Sequence, residues 1–178
     1  MKKKAILFLL TILLITSCAS QKDPAVIAAE EAVQKAWFDK AVQALNDREF
    51  VLEAERITFR SGRSVYVNSN TNFVSLHGDN ATVQIALNTP YAGPNGIGGI
   101  TVDGRASNVK METDKKGNIS FSMFVTGAVI SATVYFQMAN GSNQCSVTVN
   151  PNFSNNRITF TGSLYSEVDS EVFKGRSL

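Results

Sequence analysis

Histidine occurs once in this chain, at His77, and cysteine twice, at Cys18 and Cys145. A zinc site needs three or four closely placed His, Cys or carboxylate ligands, and one His without a Cys pair does not supply them. No metal and no cofactor is therefore expected. No Gly-Lys-Ser/Thr occurs, so there is no P-loop, and Gly96 and Gly98 do not continue into a G-x-G-x-x-G because position 101 is Thr. His77 sits beside Gly78-Asp79-Asn80, a turn sequence. Acid–base work there would need a placed nucleophile and an orienting partner. Asp79 is two residues away, but turns favour Asp for backbone reasons, and no nucleophile is spelled out. Enzymatic activity is not expected.

Positive charge is scarce too. The formal net charge of +2 rests on Lys2, Lys3 and Lys4. If these leave with a leader, 14 basic residues face 15 acidic ones. Such a balance does not attract a polyanion, and a nucleic-acid partner is disfavoured. The apolar run from Ala5 to Ile15 is shorter than the roughly 20 residues that span a bilayer. Behind three lysines it has the form of a secretory h-region. It ends in Ile15-Thr16-Ser17-Cys18, which resembles the lipobox of bacterial lipoproteins. That resemblance implies cleavage after Ser17 and acylation of Cys18. Several acyl chains hold a protein on a membrane where one does not. The expected layout is a leader over 1–17, a lipidated cysteine and polar tether over 18–24, and one domain over 25–178. Ala19, directly after the cysteine, is unlike the Asp that marks inner-membrane retention in enteric bacteria. The expected address is therefore the outer membrane, reached through lipid on Cys18.

The tether gives way to a predicted helix from Ala25 to about Leu45. Asp23-Pro24 suits its start, and Val26, Ala29, Val33, Trp37, Ala41 and Leu45 recur at helical spacing. From Glu49 onward the apolar period falls to 2. Phe50 to Phe59 reads as a first strand region with a slip near Ala54-Glu55-Arg56. Ile119, Phe121, Met123 and Val125 share one face of a later strand, and Ile130, Ala132, Val134, Phe136 and Met138 share that of the next. Asp114 to Asn118 and Asn140-Gly141 read as hairpin turns. Cys145 alternates with Val147 and Val149, as a buried structural thiol would. The fold class is mainly β: a single antiparallel sandwich or partly closed barrel of about eight or nine strands with one N-terminal helix.

Two stretches are candidates for contact with a partner. The loop from Asn88 to Gly99 carries two prolines and four glycines, the composition of a shaped surface connection, with Tyr91 and Asn95 as its candidate contact residues. Asn68, Asn70 and Asn72 alternate with Ser69 and Thr71. They form either a row of amides on an extended face or, the favoured alternative, a turn. Asp103 and Arg105 flank Gly104 and could pair locally. Together these residues make the candidate binding set.

Several segments have a common resemblance: Phe50-Val51-Leu52-Glu53-Ala54, Val67 to Val74, Gly93 to Thr101, Val147 to Pro151, and Phe173-Lys174-Gly175-Arg176. In this order they resemble a family of Bacteroidetes lipoproteins known as domain of unknown function 4251, from about Asn46 to the C-terminus. The resemblance implies a Gram-negative envelope and no assigned activity. The expected function is a non-enzymatic binding or scaffolding module of the cell envelope, its partner another envelope protein. The alternative is a lipocalin-like carrier of a small apolar ligand.

Overall fold

The computed structural model describes residues 23–178. The predicted leader and Cys18 lie outside the described residues. Helix α1 runs over Pro24–Asp47. The strands are β1 (Glu49–Phe59), β2 (Ser64–Tyr66), β3 (Phe73–His77), β4 (Asn80–Ala86), β5 (Gly99–Thr113), β6 (Ile119–Thr126), β7 (Ser131–Met138), β8 (Gln144–Pro151) and β9 (Ile158–Ser166). Among the described residues, 23–31 belong to one unit and Ala32–Leu178 to another. In the first, Asp23 starts the helix by accepting the Ala25 N–H on Oδ1 at 2.9 Å. A carboxylate at this position satisfies a donor that the first turn leaves unpaired.

Each strand pairs antiparallel with its successor in an up-and-down meander, except that β2 and β3 share one edge of β1. β9 returns to the other edge of β1, with Phe50 opposite Ser166 at one end and Phe59 opposite Ile158 at the other. Eight strands thus close into a barrel in which each has a neighbour on both sides. Of the sandwich and the barrel, the chain forms the barrel, and the closure is complete. The slip near Ala54 is a register shift against β9 between Ala54 and Arg56. Gly162 lies opposite Ala54, where a Cβ would run into the Glu53 carbonyl, so the seam at this point needs glycine.

An eight-stranded barrel is just wide enough for its own side chains to fill. Here they do. Phe50, Phe121 and Phe136 meet edge to face, with ring centroids 5.2–5.4 Å apart. Leu52, Ile57, Leu76, Met123, Phe160 and Leu164 are buried around them. The predicted inward faces of β6, β7 and β8 lie in this core, except that Ile130 precedes β7 and is only partly buried against it. Phe38, Ala41, Ala44 and Leu45 of α1 join the same cluster, and the Trp37 ring packs edge-on against Tyr165 at 5.6 Å. The predicted helical stripe therefore needs correction. Val33 is 57% exposed, whereas Trp37 packs against Tyr165. Phe38 and Ala44, outside the predicted stripe, are among the buried residues.

Two measurements check this interior. Phe121→Ala should lower unfolding stability in urea by about 3–5 kcal/mol, the usual cost of truncating a buried ring. Burial pushes the Cys145 thiol up to about 12. A maleimide at pH 8 should therefore leave Cys145 unmodified in the folded protein and label it after denaturation.

Candidate binding surface

The connection between β4 and β5 is long but cross-braced. Asn95, buried at its centre, donates from Nδ2 to the Ile85 carbonyl at 3.2 Å and to Thr101 Oγ1 at 3.3 Å. Its Oδ1 accepts the N–H groups of Ile97 at 3.1 Å and Gly99 at 2.9 Å. A second buried amide fixes the facing stretch. Asn72 donates to the Ala86 carbonyl at 3.0 Å and accepts the Ala86 N–H at 2.8 Å. Asn68 accepts the Asn70 N–H on Oδ1 at 3.0 Å and starts a 3-10 turn over Ser69–Thr71. The turn, not the extended amide row, is what forms. Loop and turn together wall an open cleft of about 540 Å³, lined among others by Tyr66, Asn68, Thr71, Leu87, Thr89 and Ile97. Tyr66 is 86% exposed, and Tyr91, two residues beyond Thr89, is 79% exposed.

The remaining candidates separate. Asp103 and Arg105 do not pair with each other. Arg105 reaches Asp79 at 3.5 Å, in the turn between β3 and β4. Asp103 accepts from Thr82 Oγ1 at 2.6 Å, Lys174 Nζ at 2.8 Å and Ser177 Oγ at 2.6 Å. The last two donors belong to the C-terminal segment. Residues 167–178 form a strap across the outer faces of β1, β3, β4 and β5. Ser170 Oγ and the Glu171 N–H bind Glu53 Oε1 at 2.7 and 3.2 Å. The Phe173 N–H donates to the Asn70 carbonyl at 2.7 Å. Beneath the strap, Gln84 donates to the Phe173 carbonyl at 2.7 Å and accepts the Gly175 N–H at 2.8 Å. Thr101 Oγ1 donates to the same Gln84 Oε1 at 2.7 Å. Gln84 and Thr101 are fully buried on what would otherwise be the solvent side of the barrel. Sequence reasoning missed them because an outward Gln or Thr on a strand is ordinary. A cleft of about 410 Å³ also opens along the strap, with Phe73, His77, Thr82, Glu167 and Val172 in its walls.

Among the described residues, no group of three or more His, Cys, Asp or Glu side chains stands close enough to hold a metal. His77 Nδ1 lies 2.6 Å from Glu167 Oε2 at the start of the strap. The hydrogen bond to Glu167 and its charge raise the His77 pKa above the ordinary 6.5, slight desolvation opposes them, and Glu49 across the β1–β3 ladder adds to the rise. At Asp103, burial pushes the carboxyl up, but hydrogen bonds from Lys174, Ser177 and Thr82 outweigh it and hold the pKa below 3.8.

These shifts carry opposite signs with pH. A raised histidine contributes fully below 6.5 and loses its contribution as pH climbs through the folded-state pKa. A depressed carboxyl contributes above 3.8 and loses its contribution as pH falls through its folded-state value. The His77 ring should therefore titrate above 6.5 by NMR, and Glu167→Gln should bring its midpoint back toward that value. An unchanged midpoint in the variant would show that the pair does not form.

The comparisons with known proteins agree with this architecture. No curated protein matches the chain. The model of the family described as domain of unknown function (DUF4251) matches residues 32–164, beginning inside α1, earlier than the expected Asn46, and ending in β9 before the strap. A crystal structure of a DUF4251 family protein from Bacteroides eggerthii is 49% identical, with a TM-score of 0.69. The similarity covers 83% of this chain and 99% of that one. The chain belongs to the DUF4251 family.

Proposed function

We propose that the domain is a non-enzymatic binding module of the cell envelope, tethered by lipid on Cys18, that engages a protein partner on the outside of its barrel. The contact region is the cleft between the 88–99 loop and the Asn68–Asn72 turn. One observation carries this reading. Tyr66 and Tyr91 stand exposed beside a cleft whose walls are stiffened by two buried asparagines. Exposed aromatic rings on a preorganised backbone are efficient anchors, because little conformational freedom is lost when they are covered.

The closed eight-stranded barrel supports a second reading, a lipocalin-like carrier. The edge-to-face packing of Phe50, Phe121 and Phe136 weighs against it, since a carrier needs that space for its ligand.

Two experiments separate these readings. A photo-crosslinking residue in place of Tyr66, in the lipid-anchored protein within its own envelope, should give a discrete adduct that Tyr91→Ser weakens. The same residue in place of Tyr135, on β7, should give none. Equal yields at both positions, or no adduct at either, would overturn the cleft as the contact. For the carrier, an apolar fluorescent probe should show no saturable uptake by the wild type. Stoichiometric uptake at micromolar concentration would make the carrier the better account.

A further inference from the structure

The strap lies in a groove suited to an extended main chain. Within six residues, five backbone groups of the strap are paired. The N–H groups of Phe173, Arg176 and Leu178 donate to the carbonyls of Asn70, Asn95 and Thr101 at 2.7, 3.1 and 3.1 Å. The carbonyl of Phe173 and the N–H of Gly175 are both taken by the Gln84 amide. The orientation of that amide is settled by its neighbours. Its Nε2 faces two carbonyls, those of Phe173 and Thr71, and its Oε1 faces two donors, the Gly175 N–H and Thr101 Oγ1. A buried glutamine held this way reads backbone regardless of side chain.

Selectivity comes from two places. Asp103 takes Lys174 Nζ and Ser177 Oγ together. Gly175 passes so close to the Asn95 carbonyl that an added Cβ would lie 2.8 Å from its oxygen, with Ile97 at 3.1 Å behind it. Little apolar surface holds the strap down. Phe173 is 59% exposed and Leu178 50%. The strap is thus retained mainly by hydrogen bonds that water or another chain can replace, each with a small net contribution.

We propose that this groove is a peptide-docking site that residues 170–178 occupy in cis. Its partner is an extended polypeptide segment with a Lys-Gly pair at its centre. The Lys seats on Asp103, the Gly clears Asn95, and Gln84 grips the backbone on either side of the Lys. The strap is the competitor that such a segment displaces, as in other recognition modes where main-chain bonds supply affinity and a few pockets supply specificity.

The test uses the full-length protein and a labelled nonapeptide of residues 170–178, followed by fluorescence anisotropy. Gly175→Val disables the protein's own strap while leaving the groove intact. A competitor in cis acts at roughly millimolar effective concentration, so this variant should bind the peptide at least about tenfold more tightly than the wild type does. Adding Gln84→Ala should abolish the gain, and a peptide with the Gly175→Val change should not bind. Lys174→Glu, which disables the strap by charge repulsion rather than by a clash, should also expose the groove. It keeps the test valid if Gly175→Val fails to fold. Should folded strap variants bind the peptide no better than the Gln84→Ala protein does, or bind the valine peptide equally well, the proposal is wrong.

Discussion

The pairing of β9 with β1 is the constraint on which the rest of this structure depends. It turns a meander into a closed wall and fixes the interior volume, which Phe50, Phe121 and Phe136 then fill. It also decides where the chain goes next. β9 ends at Ser166 opposite Phe50, so the strap emerges beside the start of β1, where His77 pairs in register with Glu49. From there its path leads over the outer wall, meeting Glu53, then Gln84, then Asp103 and Thr101. Without closure there would be neither a sealed core nor a strap delivered to that face.

Polar burial on the outer wall follows from the same route. A barrel of this size normally turns its polar face to water. Here Gln84, Thr101, Asn72 and Asn95 are covered, and their side-chain groups are answered by loop and strap. Among the described residues, no buried side-chain nitrogen or oxygen lacks a partner. The asparagines hold the loop and turn that shape the cleft, and the glutamine and threonine hold the strap. One continuous polar network thus joins the cleft to the strap groove, through Asn95, Thr101 and Gln84.

What was legible in the sequence was local. Period-2 alternation identified the inward faces of β6 and β7, because a strand with one buried face must alternate. Gly117 and Gly141, with φ of +82° and +80°, sit in the turns that their sequences announced. The slip at Ala54 marked a real register shift. What was not legible was long-range or sequence-blind. Phe50 and Ser166 are far apart in the chain, and nothing local tells either that the other is its partner. The strap is held largely through its own N–H groups, which every residue but proline carries. Asn72 and Asn95 looked like turn formers and contact residues, since an amide bracing a loop has the same letter as one facing a ligand. The helical stripe failed at Val33 because periodicity reports an apolar face and not how much of it finds a partner.

The division between core and outer wall bears on how such a domain could work. The interior is apolar, interlocked and insensitive to what happens outside, so its opening should require nearly the full unfolding free energy. The strap is different in kind. It buries little apolar surface, and its hydrogen bonds exchange with water at small net cost, so it belongs to the low-stability end of the molecule. A peptide entering the strap groove, as proposed, would compete with a weakly held segment and not with the barrel. Binding there would leave the phenylalanine core unchanged, and the interior would remain a fixed scaffold while the groove exchanged occupants. In a carrier the order would be reversed, because the ligand would have to displace the packing that holds the barrel together.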